Sequence, residues 1–114
     1  MSKSEIDIHL IDFKLVRSLR SIVLRPGLPL ETCIYPNDEQ ASHFGAFIGK
    51  NKLVGIISYY NIPHREFNNI YSWQIRGMAT LEKYRRIGIG KKLVKVGNDF
   101  VKLKKAKVVW CNAR

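Results

Sequence analysis

Acidic side chains are scarce in this sequence. Nine Asp and Glu stand against twenty Lys and Arg in 114 residues, a formal charge of +11. A surface of that sign draws anions: a nucleic acid, an acidic membrane or a polyphosphate cofactor. Charge alone does not choose among them. Cysteine is also sparse. Cys33 and Cys111 lie far apart, no Cys-x-x-Cys pair exists, and His9, His43 and His64 have no ligand spacing, so no metal centre is expected. Both cysteines have apolar or aromatic neighbours and are expected as buried free thiols. No apolar run approaches membrane-spanning length, and the opening "MSKSEIDIHL" has no apolar h-region. A reduced, cytoplasmic setting is therefore expected. There is no internal repeat, low-complexity tract or linker. The composition, 46% hydrophobic and 25% charged, suits one folded domain over residues 1–114.

What is present reads as an alternation of strands and helices. "IDIHLI" (Ile6 to Ile11) alternates apolar with polar and predicts a strand. Asp12 caps a helix over Phe13 to Arg25, which Pro26-Gly27 ends. Phe13, Val16, Leu19 and Val23 share its apolar face, with Leu15 and Ile22 widening it. A constrained loop follows, and "PNDEQAS" is expected to hold a short helical turn. His43 to Ile62 reads as a hairpin around "GKNK". A polar loop, "PHREFNN", leads to a long strand from Ile70 to Thr80 in which Gly77 suggests a bulge. After a basic glycine loop, Ile89, Leu93, Val96, Phe100 and Leu103 repeat at helical spacing as a buried stripe. Lys107 to Asn112 is a last strand. The unit from Ile70 to Asn112 is a βαβ crossover, so its two strands should be parallel. The fold class is α/β with a mixed sheet, in the order β-α-(α)-β-β-β-α-β.

The loop "YRRIGIGKKLV", Tyr84 to Val94, carries the chemistry. A strand that feeds a helix through glycines presents unpaired N–H groups, and the helix dipole adds positive charge at the same point. Glycines let an anion approach without a Cβ in the way. Arg85, Arg86, Lys91 and Lys92 add full charges, which suits a pyrophosphate. The Walker pattern G-x-x-x-x-G-K-[ST] fails here, and Leu93 replaces the third glycine of the dinucleotide fingerprint. The pattern that fits is R-x-x-G-x-G, with Arg85, Gly88 and Gly90.

Placed after a strand ending "MAT" and before an amphipathic helix, with "WCNAR" on the next strand, this loop resembles the acetyl-CoA-binding motif of the GCN5-related N-acetyltransferase (GNAT) family. The likeness in element order covers nearly the whole chain. It implies a GNAT-like acyl-CoA N-acyltransferase fold, acetyl-CoA as cofactor and transfer of its acetyl group to a primary amine. It implies that the backbone of Met78, Ala79 and Thr80 binds the pantetheine arm. Arg85, Arg86, Ile87, Gly88, Ile89, Gly90 and Lys91 would hold the pyrophosphate. A bulge at Arg76-Gly77 would open a V for the cofactor, and an N–H in the Gly77 to Ala79 region would polarise the thioester. Family members often carry a glutamate on this strand. Gln74 stands here instead and can orient water or substrate but cannot ionise. Glu66 and His64 are weaker candidates for a base.

Ser72, Gln74, Arg76, Met78 and Thr80 are expected on one face of the strand, and Tyr71, Trp73, Ile75 and Ala79 on the other. Polar groups on a central strand line a cleft or are paired. Arg76 suits a substrate carboxylate or an ion pair with an acid such as Glu31.

The family domain normally continues with a helix and two strands, which supply a tyrosine that protonates the departing thiolate. The resemblance therefore implies a C-terminally truncated domain, weak acetyl-CoA binding, and an exposed last edge that invites pairing with a second copy. Two other readings stay open: a CoA-binding remnant without turnover, and a small basic nucleic-acid-binding module. The second is disfavoured because aromatic and basic residues do not interleave on one face. The acceptor is not readable.

Overall fold

The centre of the molecule is built from the two runs richest in β-formers. The computed structural model describes residues 6–62 and 71–111. Ser42–Ile48 and Lys52–Tyr60 form strands β2 and β3, an antiparallel hairpin turned at residues 49–51. Both strands are buried on their two faces, which is why their sequence is apolar almost throughout. Ile6–Ile11 forms β1, antiparallel to β2. Ser72–Thr80 forms β4, antiparallel to β3, and Val108–Trp110 forms β5, parallel to β4. The sheet order is β1-β2-β3-β4-β5. The parallel pair is the expected βαβ crossover. The last strand is the sheet's edge.

Helix α1, Phe13–Val23, covers one face. Asp12 caps it by accepting a hydrogen bond from the Lys14 N–H at 2.7 Å. Val16 and Leu19 pack with Ile56 and Ala79. Helix α2, Ile89–Leu103, covers the other face and buries Ile89, Leu93 and Val101 against Phe44, Ala46, Ile57, Tyr59 and Trp73. The helices thus lie on opposite faces of one mixed sheet. A three-residue-per-turn helix at Leu30–Cys33 replaces the helical turn expected six residues later, where residues 36–40 form only turns.

Several expectations need correction. Leu15 and Ile22 are exposed, so the buried face of α1 is narrower than its apolar face. Leu103 is 85% exposed, and the stripe of α2 ends on Val101. Cys33 is a buried free thiol, but Cys111 is exposed. The helix after Asp12 ends at Val23, short of Arg25.

Gly97 explains how α2 reaches the sheet. A Cβ there would overlap the Tyr59 ring, so glycine is the only residue that admits this approach. The Tyr59 hydroxyl then donates to Asn98 Oδ1 at 2.7 Å and to the Val94 carbonyl at 3.2 Å. Burial pushes this phenol up to about 12, so it stays a donor at any ordinary pH.

A polar network is buried under α1. Arg20 is fully buried and donates to both Asp38 carboxylate oxygens, at 2.7 and 3.2 Å. It also donates to the Cys33 carbonyl at 2.9 Å, Ser58 Oγ at 3.1 Å and the Tyr60 hydroxyl at 3.0 Å. The Tyr60 hydroxyl donates in turn to Asp38, and so does the Tyr35 N–H. His43 Nε2 lies 2.8 Å from the Asp38 carbonyl, which only accepts, so Nε2 carries the proton. Nδ1 must then accept from Ser58 Oγ at 2.6 Å, which leaves that oxygen free to accept from Arg20. Every polar contact is consistent with a neutral His43. Burial opposes charge on the imidazole and, against the hydrogen bond to the Asp38 carbonyl, holds its pKa below 6.5. For Asp38, burial alone would raise the pKa, but the hydrogen bonds from Arg20, Tyr60 and Tyr35 outweigh it and hold the carboxyl below 3.8.

Three outcomes follow for stability. Gly97→Ala should destabilise the chain by about 1–3 kcal/mol through overpacking, although alanine is the better helix former. A urea-unfolding midpoint equal to or above the parent's would refute the close contact. Asp38→Ala strands a buried guanidinium and should cost about 3–5 kcal/mol in the same assay. The pH dependence has a definite sign. The unfolded chain protonates His43 near 6.5 while the native chain resists, so stability falls as pH drops below 6.5. Asp38 adds a second loss that begins near 3.8 and is complete below its lower native value. Unfolding midpoints that stay flat between pH 7 and pH 5 would overturn the His43 assignment.

Candidate functional site

The basic loop forms where β4 ends and α2 begins. Leu81 ties the strand's end to the sheet, its N–H donating to the Val54 carbonyl at 2.8 Å. One tight turn, Glu82–Tyr84, follows. Arg86 then takes φ +67° and Gly88 φ +89°, the left-handed region that favours glycine. These two residues swing the chain into α2. Ile89, the first residue of α2, is buried and packs on Gly55 of β3, where any side chain would collide with it. The helix start is thus pinned to the sheet.

The N-terminus of α2 has no side-chain cap. Gly88 is its capping residue, and its carbonyl accepts the first helical bond from the Lys92 N–H at 3.0 Å. The N–H groups of the first turn have no partner within the helix. They open onto a concavity of about 300 Å³ lined by Thr80, Tyr84, Arg85, Arg86, Gly88, Ile89, Gly90 and Lys91. Gly90 is unusual there. It has ordinary helical geometry, and a Cβ built on it would meet no atom within 4 Å. Neither backbone strain nor packing within the chain requires glycine at this position, yet glycine costs a helix about 1 kcal/mol. Arg85 folds back, its Nε donating to the Thr80 carbonyl at 3.0 Å, and so braces the loop against the strand. Arg86 and Lys91 are exposed at the mouth. Tyr84 is part of the same wall, with the Lys52 ammonium 5.2 Å from its ring centre. A hydrogen bond to Lys52 lowers the Tyr84 pKa.

In β4, Gly77 takes φ +64° and the register against β3 shifts between Ile56 and Ser58. Gly77 and Met78 together stand opposite Ile57, a bulge of one extra residue. The bulge lies where Gly77 suggested it, but it overturns the face assignment of the strand. Beyond it the alternation changes parity. Ala79, and not Met78 or Thr80, shares the α1 face with Gln74 and Arg76, and it is buried against Val16 and Leu19. Met78 is 48% exposed and Thr80 half-buried on the opposite side. The network described above sits against this bulge. A Cβ on Gly77 would lie 3.2 Å from Arg20 Nε and 3.3 Å from the Tyr35 ring. On the other edge of β4, the ladder to β5 pairs Ser72 to Gln74 with Val108 to Trp110 and goes no further among the described residues.

Gln74 is 2% exposed, on the α1 face. Its Oε1 is buried without a hydrogen-bond partner, and its amide makes no hydrogen bond to a described residue. Arg76 is half-buried, with its guanidinium 5.5 Å from the centre of the Tyr60 ring. Among the described residues it forms no ion pair, and Glu31 is exposed, so the pairing with Glu31 is not made. His64 and Glu66 lie outside the described residues. Of the seven residues expected to hold the pyrophosphate, six gather at one concavity and Ile87 packs instead against the core, while Gln74 and Arg76 lie together before the bulge on the α1 face.

Sequence reasoning missed two things. Tyr84 is one. The larger is the Arg20 network, for which a signal existed: Arg20 falls on the inward positions of α1, between Leu19 and Val23. Among the described residues no group of three or more His, Cys, Asp or Glu side chains is placed to hold a metal, and no helix is long and apolar enough to cross a membrane.

Comparison with known proteins gives this geometry a family. A profile described as the acetyltransferase (GNAT) family matches residues 15–114. A curated relative, the uncharacterized N-acetyltransferase YitI of Bacillus subtilis (strain 168), is 34% identical over 98 residues, which is 84% of this chain and 65% of that protein. The chain thus spans just under two thirds of that relative's length. Among solved structures, an aminoglycoside acetyltransferase from an uncultured soil metagenomic sample superposes with TM-score 0.75 at 21% identity, over 98% of this chain and 80% of its own. An aminoglycoside acetyltransferase solved with the bisubstrate analogue CoA-S-monomethyl-acetylneamine gives 0.76 at 17% identity, over 96% and 80%. The ribosomal-protein-alanine N-acetyltransferase of Brucella melitensis biovar Abortus 2308 gives 0.70 at 20%, over 96% and 80%. The match over residues 15–114 shows that the chain belongs to the GNAT acetyltransferase family.

Proposed function

We propose that the protein is an acetyl-CoA-dependent N-acetyltransferase acting on a primary amine, with the pyrophosphate held at the start of α2. Gly90 carries this reading. The first turn of α2 contains a glycine that nothing inside the chain needs, at the lip of a basic concavity. An anion drawn to the free N–H groups of that turn would pass over Gly90, and a Cβ would stand in its way. The residues present suit a CoA pyrophosphate. The N–H groups of the loop and first turn donate, and Arg86 and Lys91 supply charge at the rim. Arg85 braces the loop. The cofactor supplies the acetyl group as a thioester. The backbone of Met78, Ala79 and Thr80 lies beyond the last rung shared with β5 among the described residues, and that edge would bind the pantetheine arm.

On the acceptor side the chain's groups hold and orient. An N–H of the Gly77 to Ala79 stretch, set by the bulge, polarises a carbonyl brought to it. Gln74 accepts a hydrogen bond from the acceptor nitrogen through Oε1. As an amide it takes no proton, so proton removal falls to water or to a group other than Gln74. That same property supports the second reading, cofactor binding without turnover.

Gly90→Ala separates the cofactor reading from a structural role for the glycine. The variant should be as stable as the parent or more so, by up to about 1 kcal/mol, because alanine favours helix. Its affinity for acetyl-CoA should nevertheless fall at least about tenfold, since the anion and the methyl compete for one place. Calorimetric titration of both proteins measures this, and unchanged affinity would remove the observation on which the reading stands. Release of free thiol from acetyl-CoA in the presence of an amine distinguishes turnover from binding alone.

A further inference from the structure

Two side chains on the α1 face of β4 are left with unmet demands. Gln74 is 2% exposed, and its Oε1 accepts nothing. A buried acceptor without a donor is costly, and folded chains keep few of them. Two residues on, Arg76 shares that face, and its half-buried guanidinium has no acid among the described residues. The one buried carboxylate among the described residues cannot serve. Asp38 already accepts from Arg20 twice, from the Tyr60 hydroxyl and from the Tyr35 N–H. The Tyr60 ring lies beside the Arg76 guanidinium, and no acid among the described residues compensates its formal charge. The face thus offers one hydrogen-bond acceptor and one planar cation, about 7 Å apart along the strand at their backbones. Both stand just before the bulge at Gly77 and Met78.

We infer that the acceptor substrate is a small amine that carries its own carboxylate, of the amino-acid class. Its carboxylate lies on the Arg76 fork, and its nitrogen donates to Gln74 Oε1. This inference rests on the N-acetyltransferase reading above and narrows its acceptor. A carboxylate answers the guanidinium bidentately, and an amine answers the orphaned oxygen. The two groups of one small molecule reach both residues because Arg76 is long and can bend back toward Gln74. A polycation is the wrong partner. It would bring like charge against Arg76 on a chain whose net charge is +11. The aminoglycoside acetyltransferases that share the fold therefore do not predict this acceptor.

The test uses the whole chain labelled with ¹⁵N, titrated with the twenty L-amino acids, their carboxamides and the polycation neamine. Acetyl-CoA is titrated separately by calorimetry. At least one free amino acid should shift the Gln74 side-chain and Arg76 resonances, and its carboxamide should bind roughly 10- to 100-fold more weakly. Arg76→Gln should bring that acid-to-amide ratio to about one while acetyl-CoA affinity and the far-ultraviolet spectrum stay as in the parent. Arg76→Lys should keep part of the preference. The inference is overturned if acetyl-CoA binds but no amino acid does, if carboxamides or neamine bind as well as the acids, or if Arg76→Gln leaves the ratio intact. Failure of acetyl-CoA alone to bind would overturn the cofactor reading, and amino-acid binding is read independently of it.

Discussion

The buried ion pair between Arg20 and Asp38 is the constraint on which the arrangement turns. A guanidinium with no exposure is tolerable only if most of its donors are met, and here Nη1 and Nη2 are met by four residues at once, while Nε alone is left without a partner. Arg20 comes from α1, Cys33 and Asp38 from the connection after it, and Ser58 and Tyr60 from β3. Loss of any one leaves a polar group in a dry place. The same guanidinium lies against Gly77, so the point at which β4 changes parity is backed by the most densely bonded side chain among the described residues. The helix, the connection after it and the bulge are held as one unit. His43 and Tyr60 extend the network without adding charge, the first as a neutral imidazole and the second as a phenol whose pKa burial raises.

Much of this was legible in the sequence wherever the determinant was local. Period-two and period-3.6 patterns placed five strands and two helices within a residue or two, and Asp12 and Pro26-Gly27 marked the ends of α1. The loop was legible for the same reason. An anion site at a helix start needs glycine spacing, basic neighbours and a strand before it, all within about fifteen residues. What escaped depends on partners far away in the chain. The parity of β4 after Gly77 cannot be read by counting alternate residues, because one extra residue exchanges the faces. Met78 and Thr80 went to the wrong side on that account. Leu103 and Val101 sit two apart near the end of α2, and only the sheet decides which of them is covered. Arg20 looked like one more cation on a basic chain until Asp38 was brought to it from eighteen residues away.

The electrostatics of the two sides of β4 differ in kind. At the loop, charge is exposed and helix N–H groups supplement it, which suits a multiply charged anion that must come and go. On the α1 face, charge is half-buried, positioned by an aromatic ring and few in number. Such a group discriminates more than it attracts, because a wrong partner leaves it desolvated and unpaired. The overall charge of +11 thus describes the loop and the lysine-rich face of α2 better than it describes the half-buried cation at Arg76.

The bulge has one more consequence, for how such a chain can change. It divides a single strand into two stretches whose side chains answer to different neighbours. Before it, Gln74 and Arg76 face α1 beside Tyr60, while beyond it Ala79 seals the core beneath α1 and Thr80, on the other face, leads to the loop. On the proposed reading, a substitution at Gln74 or Arg76 would alter what is acetylated without touching the place proposed for the acetyl donor. The reverse also holds. On that reading such a strand would let acceptor preference diverge among descendants while the donor site stays in place.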